Sequence, residues 1–184
     1  MKTLISQLLV LPTLLALVSP LLADEKPRVS PHEKVTANVD GNEMIIVYGR
    51  PYTKDPKSGA PRKIWGGLVP YGKVWRMGAD EATLLTTDKE IEMGGKSIAP
   101  GTYSLFLLPD EGDGAKLIVN KQTGQWGTKY DEAQDLARVD LKKGTTANPV
   151  DQFTIAIEKN DGSGGELRLS WESTSYFSLF SVKK

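Results

Sequence analysis

The sequence has no cysteine and only one histidine among its 184 residues. Without cysteine the chain can form no disulfide, so packing and hydrogen bonds alone must hold its folded state. A zinc, iron or copper site built from several imidazoles or thiolates is excluded for a single chain by the same shortage. We therefore predict no metal and no cofactor, and we expect the lone histidine, His32, at the surface near the mature N-terminus.

The chain also lacks an excess of charge, with 23 basic and 23 acidic side chains. This balance provides no field that would attract nucleic acid or an anionic membrane. A Ser-His-Asp triad would have to use His32, and no G-x-S-x-G elbow is present, which argues against serine hydrolase chemistry. The GGKS run at residues 94–97 resembles the end of a phosphate-binding loop, but Glu90 stands where that loop needs its first glycine. We interpret the run as a hairpin turn.

The first 23 residues have the three-part layout of a secretory signal peptide. Lys2 is followed by an apolar run over residues 4–18, then by a helix-ending Ser-Pro pair and a small residue, Ala23. A membrane anchor is disfavoured because Pro12 interrupts a run shorter than the roughly 18 to 20 apolar residues that a spanning helix needs. Cleavage after Ala23 is expected to leave one soluble domain, residues 24–184, in the periplasm or the medium, with no membrane span.

Short strands separated by turn residues dominate the mature sequence. An Asp-Gly-Asn turn separates two strand-like runs, 35–39 and 44–48, and an Asp-Gly pair supplies the positive backbone torsions of a tight hairpin. Apolar and polar residues alternate over 153–159 and 166–171, so each of these strands is expected to bury one face. Further strands are predicted at 82–86, 90–93, 102–108, 116–120, 137–142 and 176–182, and one or two helical turns at 130–136.

This count of nine or ten strands with little helix predicts an all-β fold. A parallel α/β sheet is disfavoured because no helices alternate with the strands. The pattern is best fitted by a mostly antiparallel β-sandwich or jelly-roll-like barrel.

One segment, residues 49–83, shows no regular helix or strand period, and we name it the aromatic-rich segment. It contains two of the four tryptophans and two of the six tyrosines, together with Arg76, Asp80 and Glu81. Large aromatic side chains beside glycines and charged groups indicate either a binding surface or a structural plug.

Four phrases of the sequence resemble the bacterial exported family catalogued as domain of unknown function 2911. They are YGRP, RKIWGGLVPYGKVWRMGADEAT, GGKSIAPGTYSLFLLP and NKQTGQWGTKYDEAQDLARV, and the likeness runs from about residue 30 to about residue 171. The family hallmark is a fragment like WRxGAxEAT, in which Asp80 falls on a variable place. The residues that fit it here are Trp75, Arg76, Gly78, Ala79, Glu81, Ala82 and Thr83. The resemblance implies export, but it implies no reaction and marks no residue as catalytic.

The hallmark has a structural and a binding interpretation. In the structural one, Arg76 pairs with Asp80 or Glu81, and tryptophans seal one end of the sandwich over this pair: Trp65, Trp75 and Trp126. In the binding one, aromatic faces and directed polar groups hold a small polar or glycan-like ligand of the cell envelope. The candidate binding residues are Arg50, Trp65, Tyr71, Trp75, Arg76, Asp80, Glu81 and Trp126.

A metal-independent hydrolase that uses Arg76 and carboxylates is a third interpretation. Asp80 and Glu81 would point to opposite faces of an extended segment. A second carboxylate, such as Asp131 or Asp135, would therefore be required for acid and base catalysis.

A second aromatic-glycine cluster occurs at residues 124–127 and is followed by Tyr130. It is expected either to cap the core with Trp126 or to approach the aromatic-rich segment, where Trp126 would line a cleft with Trp75 and Arg76 and form its second wall.

Overall fold

The structure is a computed structural model that describes residues 28–112 and 114–184. The predicted signal peptide, residues 1–23, lies outside this part of the chain. Nine strands and one 3-10 turn, Glu132–Gln134, are found within it. The strands are β1 (His32–Val39), β2 (Asn42–Gly49), β3 (Ala79–Thr87), β4 (Ile91–Met93), β5 (Lys96–Ile98), β6 (Gly101–Pro109), β7 (Gly114–Asn120), β8 (Asp135–Lys159) and β9 (Gly165–Val182). No helix in these ranges is long and apolar enough to cross a membrane.

All nine strands pair antiparallel in one sheet, in the order β1-β2-β3-β6-β7-β8-β9-β4-β5. The β1–β2 hairpin turns at Asp40 and Gly41, whose φ values of 52° and 74° are those that the Asp-Gly pair predicts. Gly94 and Gly95 also have positive φ and form the turn between β4 and β5. The prediction of a mostly antiparallel, all-β, sandwich-like fold is confirmed, and so is the hairpin turn at residues 94–97.

The two longest strands, β8 and β9, each replace a pair of shorter predicted strands. The polar stretch between the two predicted halves of β8 continues to pair with β9. Its polar residues therefore indicate exposure to solvent and not the end of a strand. The register between the strands shifts from Thr145 to Val150 and again from Val150 to Thr154, and Glu172 has a φ of 52°. Such irregularities bend a strand without ending it.

The bend brings the second half of β8 back over the end of β2. The buried amide of Ile155 donates a hydrogen bond of 2.9 Å to the Tyr48 hydroxyl, and the Phe153 amide donates to the Pro51 carbonyl at 3.0 Å. Neither contact is part of the sheet ladder. They join two layers of the folded sheet, which enclose the main core between them.

Aromatic rings fill the centre of this core. Trp171 is fully buried and stacks on Trp75, with ring centroids 5.7 Å apart and an angle of 21° between the planes. Phe153 contacts both rings edge-on, at centroid distances of 4.9 and 5.7 Å. Burying each such side chain stabilises the fold by about 1.5–3 kcal/mol. The predicted alternation is confirmed, since the inward residues of both strands are buried: Phe153, Ile155, Ile157, Leu167, Leu169 and Trp171.

Candidate functional site

A cavity of about 510 Å³ opens on the face of β3, β6 and β7 that is turned away from the main core. This face carries its own small cluster of buried residues, Ala82, Phe106 and Ile118, against which Val74 and Tyr130 pack. The aromatic-rich segment forms one side of the cavity, and residues 127–130 form the other. We call it the Arg76 cavity. Its polar lining residues are Ser30, Tyr52, Arg62, Arg76, Asp80, Thr128 and Tyr130.

Trp75 places the aromatic-rich segment beside β6. Its backbone amide donates to the Leu107 carbonyl at 2.7 Å, and the Leu107 amide donates back to the Trp75 carbonyl at 2.8 Å. This pair lies along β6 beyond the last β3–β6 pair, Thr83–Leu105, and the Trp75 ring turns inward onto Trp171. Trp75 therefore belongs to both the core and the cavity wall.

The segment before the 3-10 turn is held against β3 and β6 by a group of polar contacts. The Ser104 hydroxyl on β6 donates to the Gln122 carbonyl at 2.7 Å and accepts from the Gln125 side-chain amide at 3.0 Å. The Ala82 amide on β3 donates to the Gln125 carbonyl at 3.2 Å, and the Gly127 amide donates to the Asp80 carbonyl at 3.0 Å. The second aromatic-glycine cluster thus approaches the aromatic-rich segment, but Gly127 lines the cavity in place of the expected Trp126.

The Arg76 side chain lies along the cavity wall, directly against Gly127. A Cβ at Gly127 would lie 2.5 Å from Arg76 Cδ and 2.9 Å from Arg76 Cβ, so only a glycine leaves room for the side chain. Arg76 Nε donates to the Gly78 carbonyl at 3.2 Å. Among the residues that the structure describes, the two terminal nitrogens of Arg76 have no hydrogen-bond or ion-pair partner. The predicted ion pair of Arg76 with Asp80 or Glu81 is therefore wrong.

Asp80 and Glu81 instead meet at His32. Asp80 has a φ of 64°, which interrupts the alternation of a strand, so the two neighbouring carboxylates do not face opposite sides as predicted. His32 Nε2 lies 3.6 Å from Asp80 Oδ2 and 3.3 Å from Glu81 Oε2. We call these three residues the His32 cluster, and their donor atoms lie within 4.8 Å of one another.

The strand register explains how His32 reaches β3. His32 on β1 pairs with Gly49 on β2, and Gly49 pairs with Ala79 at the start of β3. A Cβ at Gly49 would lie 3.1 Å from His32 Nε2 and 2.5 Å from the Ala79 carbonyl oxygen. Because Gly49 has no side chain, the imidazole can lie across β2 and contact the carboxylates beyond it.

Arg28 supplies the positive charge of this cluster. Its Nη1 atom donates to both oxygens of Glu81, at 2.9 and 2.6 Å, and lies 3.0 Å from His32 Nε2. The hydrogen bond from Arg28 holds the pKa of Glu81 below its usual value, and Glu81 is charged at neutral pH.

Tyr130 is held between the cavity and the half-buried carboxylate of Asp135. Its hydroxyl donates to Asp135 Oδ2 at 2.7 Å and accepts from Arg138 Nη2 at 3.0 Å. Asp135 also accepts from Asn120 Nδ2 at 2.9 Å. Burial, followed by the bond to Asp135, raises the pKa of Tyr130 to about 12, so the phenol remains protonated at neutral pH.

Arg62 is a second guanidinium on the cavity wall. Its Nη2 donates to the Tyr52 carbonyl, and its backbone amide donates to the Thr53 carbonyl at 3.0 Å. Arg62 Nε is buried and has no hydrogen-bond partner among residues 28–112 and 114–184. Two arginines of the cavity wall therefore have side-chain nitrogens that make no hydrogen bond to any described protein atom.

The eight predicted binding residues do not lie together in one site. Trp75, Arg76 and Asp80 line the cavity, whereas Glu81 lies in the His32 cluster. The other four are outside the cavity lining: Arg50, Trp65, Tyr71 and Trp126.

Three of these four have packing or bonding roles. Arg50 pairs with Glu33 at 2.6 Å and donates to the Phe153 carbonyl on β8 at 3.1 Å. Trp65 packs in the core with its ring 5.1 Å from that of Tyr176. Tyr71 covers Gly66, where a Cβ would lie 2.8 Å from its ring.

Trp126 is 49% exposed, so the expectation that it caps the core is wrong. Tyr52, Arg62 and Thr128 were not predicted as cavity residues. Arg62 and Thr128 lie within the phrases that carry the family resemblance, but those phrases do not single them out. The signal for Tyr130 was its place directly after the second aromatic-glycine cluster.

A family model described as a protein of unknown function, DUF2911, matches residues 30–178. The match covers every residue that lines the cavity except Val29. No significant match was found among curated proteins or among solved structures.

Proposed function

The chain belongs to the DUF2911 family of unknown function, and we propose that it binds a small polar ligand with an acidic group in the Arg76 cavity. A ligand of sugar-like size is favoured by the cavity volume of about 510 Å³, which is within the usual range for small-molecule sites.

The observation that carries this proposal is that the two terminal nitrogens of Arg76 have no partner in the part of the chain that the structure describes. A half-buried guanidinium loses part of its hydration and normally recovers it through hydrogen bonds to protein groups. The terminal nitrogens of Arg76 make no such bonds within the described residues, although Gly127 and Gly78 hold the rest of the side chain in place. Their planar fork matches a carboxylate or a phosphate in two parallel hydrogen bonds.

The remaining wall supports a ligand with both apolar and hydroxyl-bearing faces. Trp75 and Tyr130, both partly exposed, line the cavity above the buried Phe106, while Thr128 and Asp80 contribute hydrogen-bonding groups. Aromatic side chains beside directed polar groups are typical of sites for sugars and related polar molecules. An acidic sugar derivative would satisfy both parts of the lining.

Binding without turnover is favoured by the carboxylate geometry. Asp80 is the single carboxylate among the residues that line the cavity, and a glycosidase needs two. Asp131 caps the 3-10 turn by accepting from the Ala133 amide, and Asp135 is bonded to Tyr130 and Arg138. Asp131 and Asp135 are therefore engaged elsewhere, and Glu81, which lies beside Asp80 at His32, is bonded to Arg28 outside the cavity lining.

We also propose that this binding takes place outside the cytoplasm, in the periplasm or the medium. The support is the signal-peptide layout of residues 1–23. A ligand derived from the cell envelope would then be within reach.

Isothermal titration calorimetry with a small panel tests the proposal. The panel contains N-acetylmuramic acid and glucuronic acid as acidic sugars and N-acetylglucosamine as a neutral one, each also assayed for turnover. We expect an acidic sugar to bind and Arg76→Ala to weaken it about 10- to 100-fold, the value of a charge-assisted hydrogen bond or two. Lys96→Ala removes an exposed charge on β5 and is the matched control.

Three results would count against the proposal. Equal affinity for neutral and acidic sugars would remove the role given to Arg76. Unfolding of Arg76→Ala with no binding by the wild-type chain would favour the structural interpretation. Turnover of a panel member would favour the hydrolase.

A further inference from the structure

The His32 cluster has the spacing of metal ligands. Two donors bound about 2.1 Å from a tetrahedral zinc ion are about 3.4 Å apart. His32 Nε2 lies 3.3 Å from Glu81 Oε2 and 3.6 Å from Asp80 Oδ2, which brackets this separation. The three donor atoms are thus close enough for one ion to bind them all.

The charge of the cluster also favours a cation. Asp80 and Glu81 bring two carboxylates to one imidazole nitrogen, and the side chains of all three residues are partly exposed. In this structure Arg28 Nη1 takes the cation's place, since it contacts both oxygens of Glu81 and lies 3.0 Å from His32 Nε2. A metal ion bound to the same Glu81 and His32 atoms would have to displace that guanidinium.

We propose that His32, Asp80 and Glu81 form a binding site for a divalent transition metal, with Arg28 as a built-in competitor. One imidazole and two carboxylates suit zinc and neighbouring first-row ions, and three protein ligands leave a position open. This donor set differs from the multi-imidazole and thiolate sites that the composition excludes. The site does not depend on ligand binding in the Arg76 cavity, although Asp80 belongs to both.

Two backbone features bring the three proposed ligands together. Because Gly49 has no side chain, the His32 side chain can reach across β2. The positive φ of Asp80 turns its carboxylate toward the imidazole. Asparagine tolerates positive φ as well as aspartate does, so Asp80→Asn removes the charge and keeps the backbone conformation.

Titration of the tag-free mature chain with zinc chloride in a calorimeter tests the proposal. The wild-type chain should bind one zinc ion, and Asp80→Asn, Glu81→Gln and His32→Gln should each weaken binding by about tenfold or more. Glu90→Gln, which removes an acid paired with Lys183 away from the cluster, should leave zinc affinity unchanged.

Arg28→Gln separates a metal site from a simple ion-pair cluster. It should strengthen zinc binding, because it removes the competing guanidinium and keeps all three ligands. Thermal melting without zinc establishes that each variant is folded. The proposal is overturned if the wild-type chain binds no zinc, if the three ligand variants bind it normally, or if Arg28→Gln weakens it.

Discussion

Arg76 lies directly against Gly127, so closely that a Cβ on the glycine would come within 2.5 Å of Arg76 Cδ. The Gly127 amide also donates to the Asp80 carbonyl at 3.0 Å, while Arg76 Nε donates to the Gly78 carbonyl at 3.2 Å. The conformation of Arg76 is therefore determined jointly by the aromatic-rich segment and by the cluster at residues 124–127. This joint support presents the guanidinium to the cavity with its terminal nitrogens unpaired within the described chain.

Gly127→Ala should displace Arg76 and impair the cavity. Forcing a methyl group into this contact is expected to cost about 1–3 kcal/mol of unfolding free energy, measured by urea denaturation. Binding of acidic sugars should weaken as well. Gly162→Ala is the control, because a Cβ there has no atom within 4 Å. Wild-type affinity and stability in Gly127→Ala would contradict the role assigned to this contact.

Tyr48→Phe should loosen the junction between the two layers of the folded sheet. The substitution keeps the ring but leaves the buried Ile155 amide without its 2.9 Å acceptor. An unpaired buried donor is expected to cost about 1–3 kcal/mol in urea denaturation. Tyr103→Phe should cost less, because its hydroxyl bonds the exposed Ala99 carbonyl, which water can satisfy. Equal effects of the two substitutions would argue against the junction.

The tryptophans should differ sharply in their contribution to stability. Trp171→Ala removes a fully buried ring that contacts Trp75 and Phe153, with an expected loss of about 3–5 kcal/mol. Trp126→Ala should change the unfolding free energy by no more than about 0.5 kcal/mol, because that ring is 49% exposed. Thermal or urea unfolding measures both. A large loss in Trp126→Ala would show that this ring caps the core after all.

Asp40→Asn should make the chain less stable at neutral pH but not in acid. A hydrogen bond of 2.6 Å from the Gly164 amide, with Lys159 beside it, lowers the pKa of Asp40 below its ordinary 3.8. A lowered folded-state pKa stabilises the fold above the unfolded pKa, and this stabilisation is lost as the pH falls through the folded value.

The urea midpoints of wild type and Asp40→Asn should therefore differ at neutral pH and converge below about pH 4. Asparagine suits the φ of 52° at this position, so the comparison isolates the charge. Asp161→Asn, a substitution in the exposed β8–β9 turn, is the matched control. A difference for Asp40→Asn that is constant with pH would refute the charge argument.

Local chemistry predicted much of the sheet. The Asp40-Gly41 turn and the alternating residues of β8 and β9 follow from backbone torsions and from the period of two in a strand. The merging of predicted strands into β8 and β9 could not be foreseen, because the polar stretch between them is paired through a register shift. The three-residue strand β5 is too short to show a period.

The candidate site was only partly predictable. The composition of the aromatic-rich segment identified Trp75, Arg76 and Asp80, which do line the cavity. The positive φ of Asp80 could not be predicted, because none of the neighbouring residues requires it. The His32 cluster depends on this torsion angle. The approach of His32 across Gly49 depends on the register of three strands, and Arg62 reaches the cavity from the irregular part of the segment.

The most direct test of the central claim is the side-chain NMR signal of Arg76 during titration with glucuronic acid and N-acetylmuramic acid. The Nε–Hε signal can be assigned by its loss in Arg76→Lys, and the signal of Arg168, which pairs with Glu166 outside the cavity lining, is the internal reference. We predict that an acid shifts the Arg76 signal saturably, with the affinity found by calorimetry, while the Arg168 signal stays in place. An unchanged Arg76 signal when the ligand is saturating, or no binding of either acid, would contradict the account.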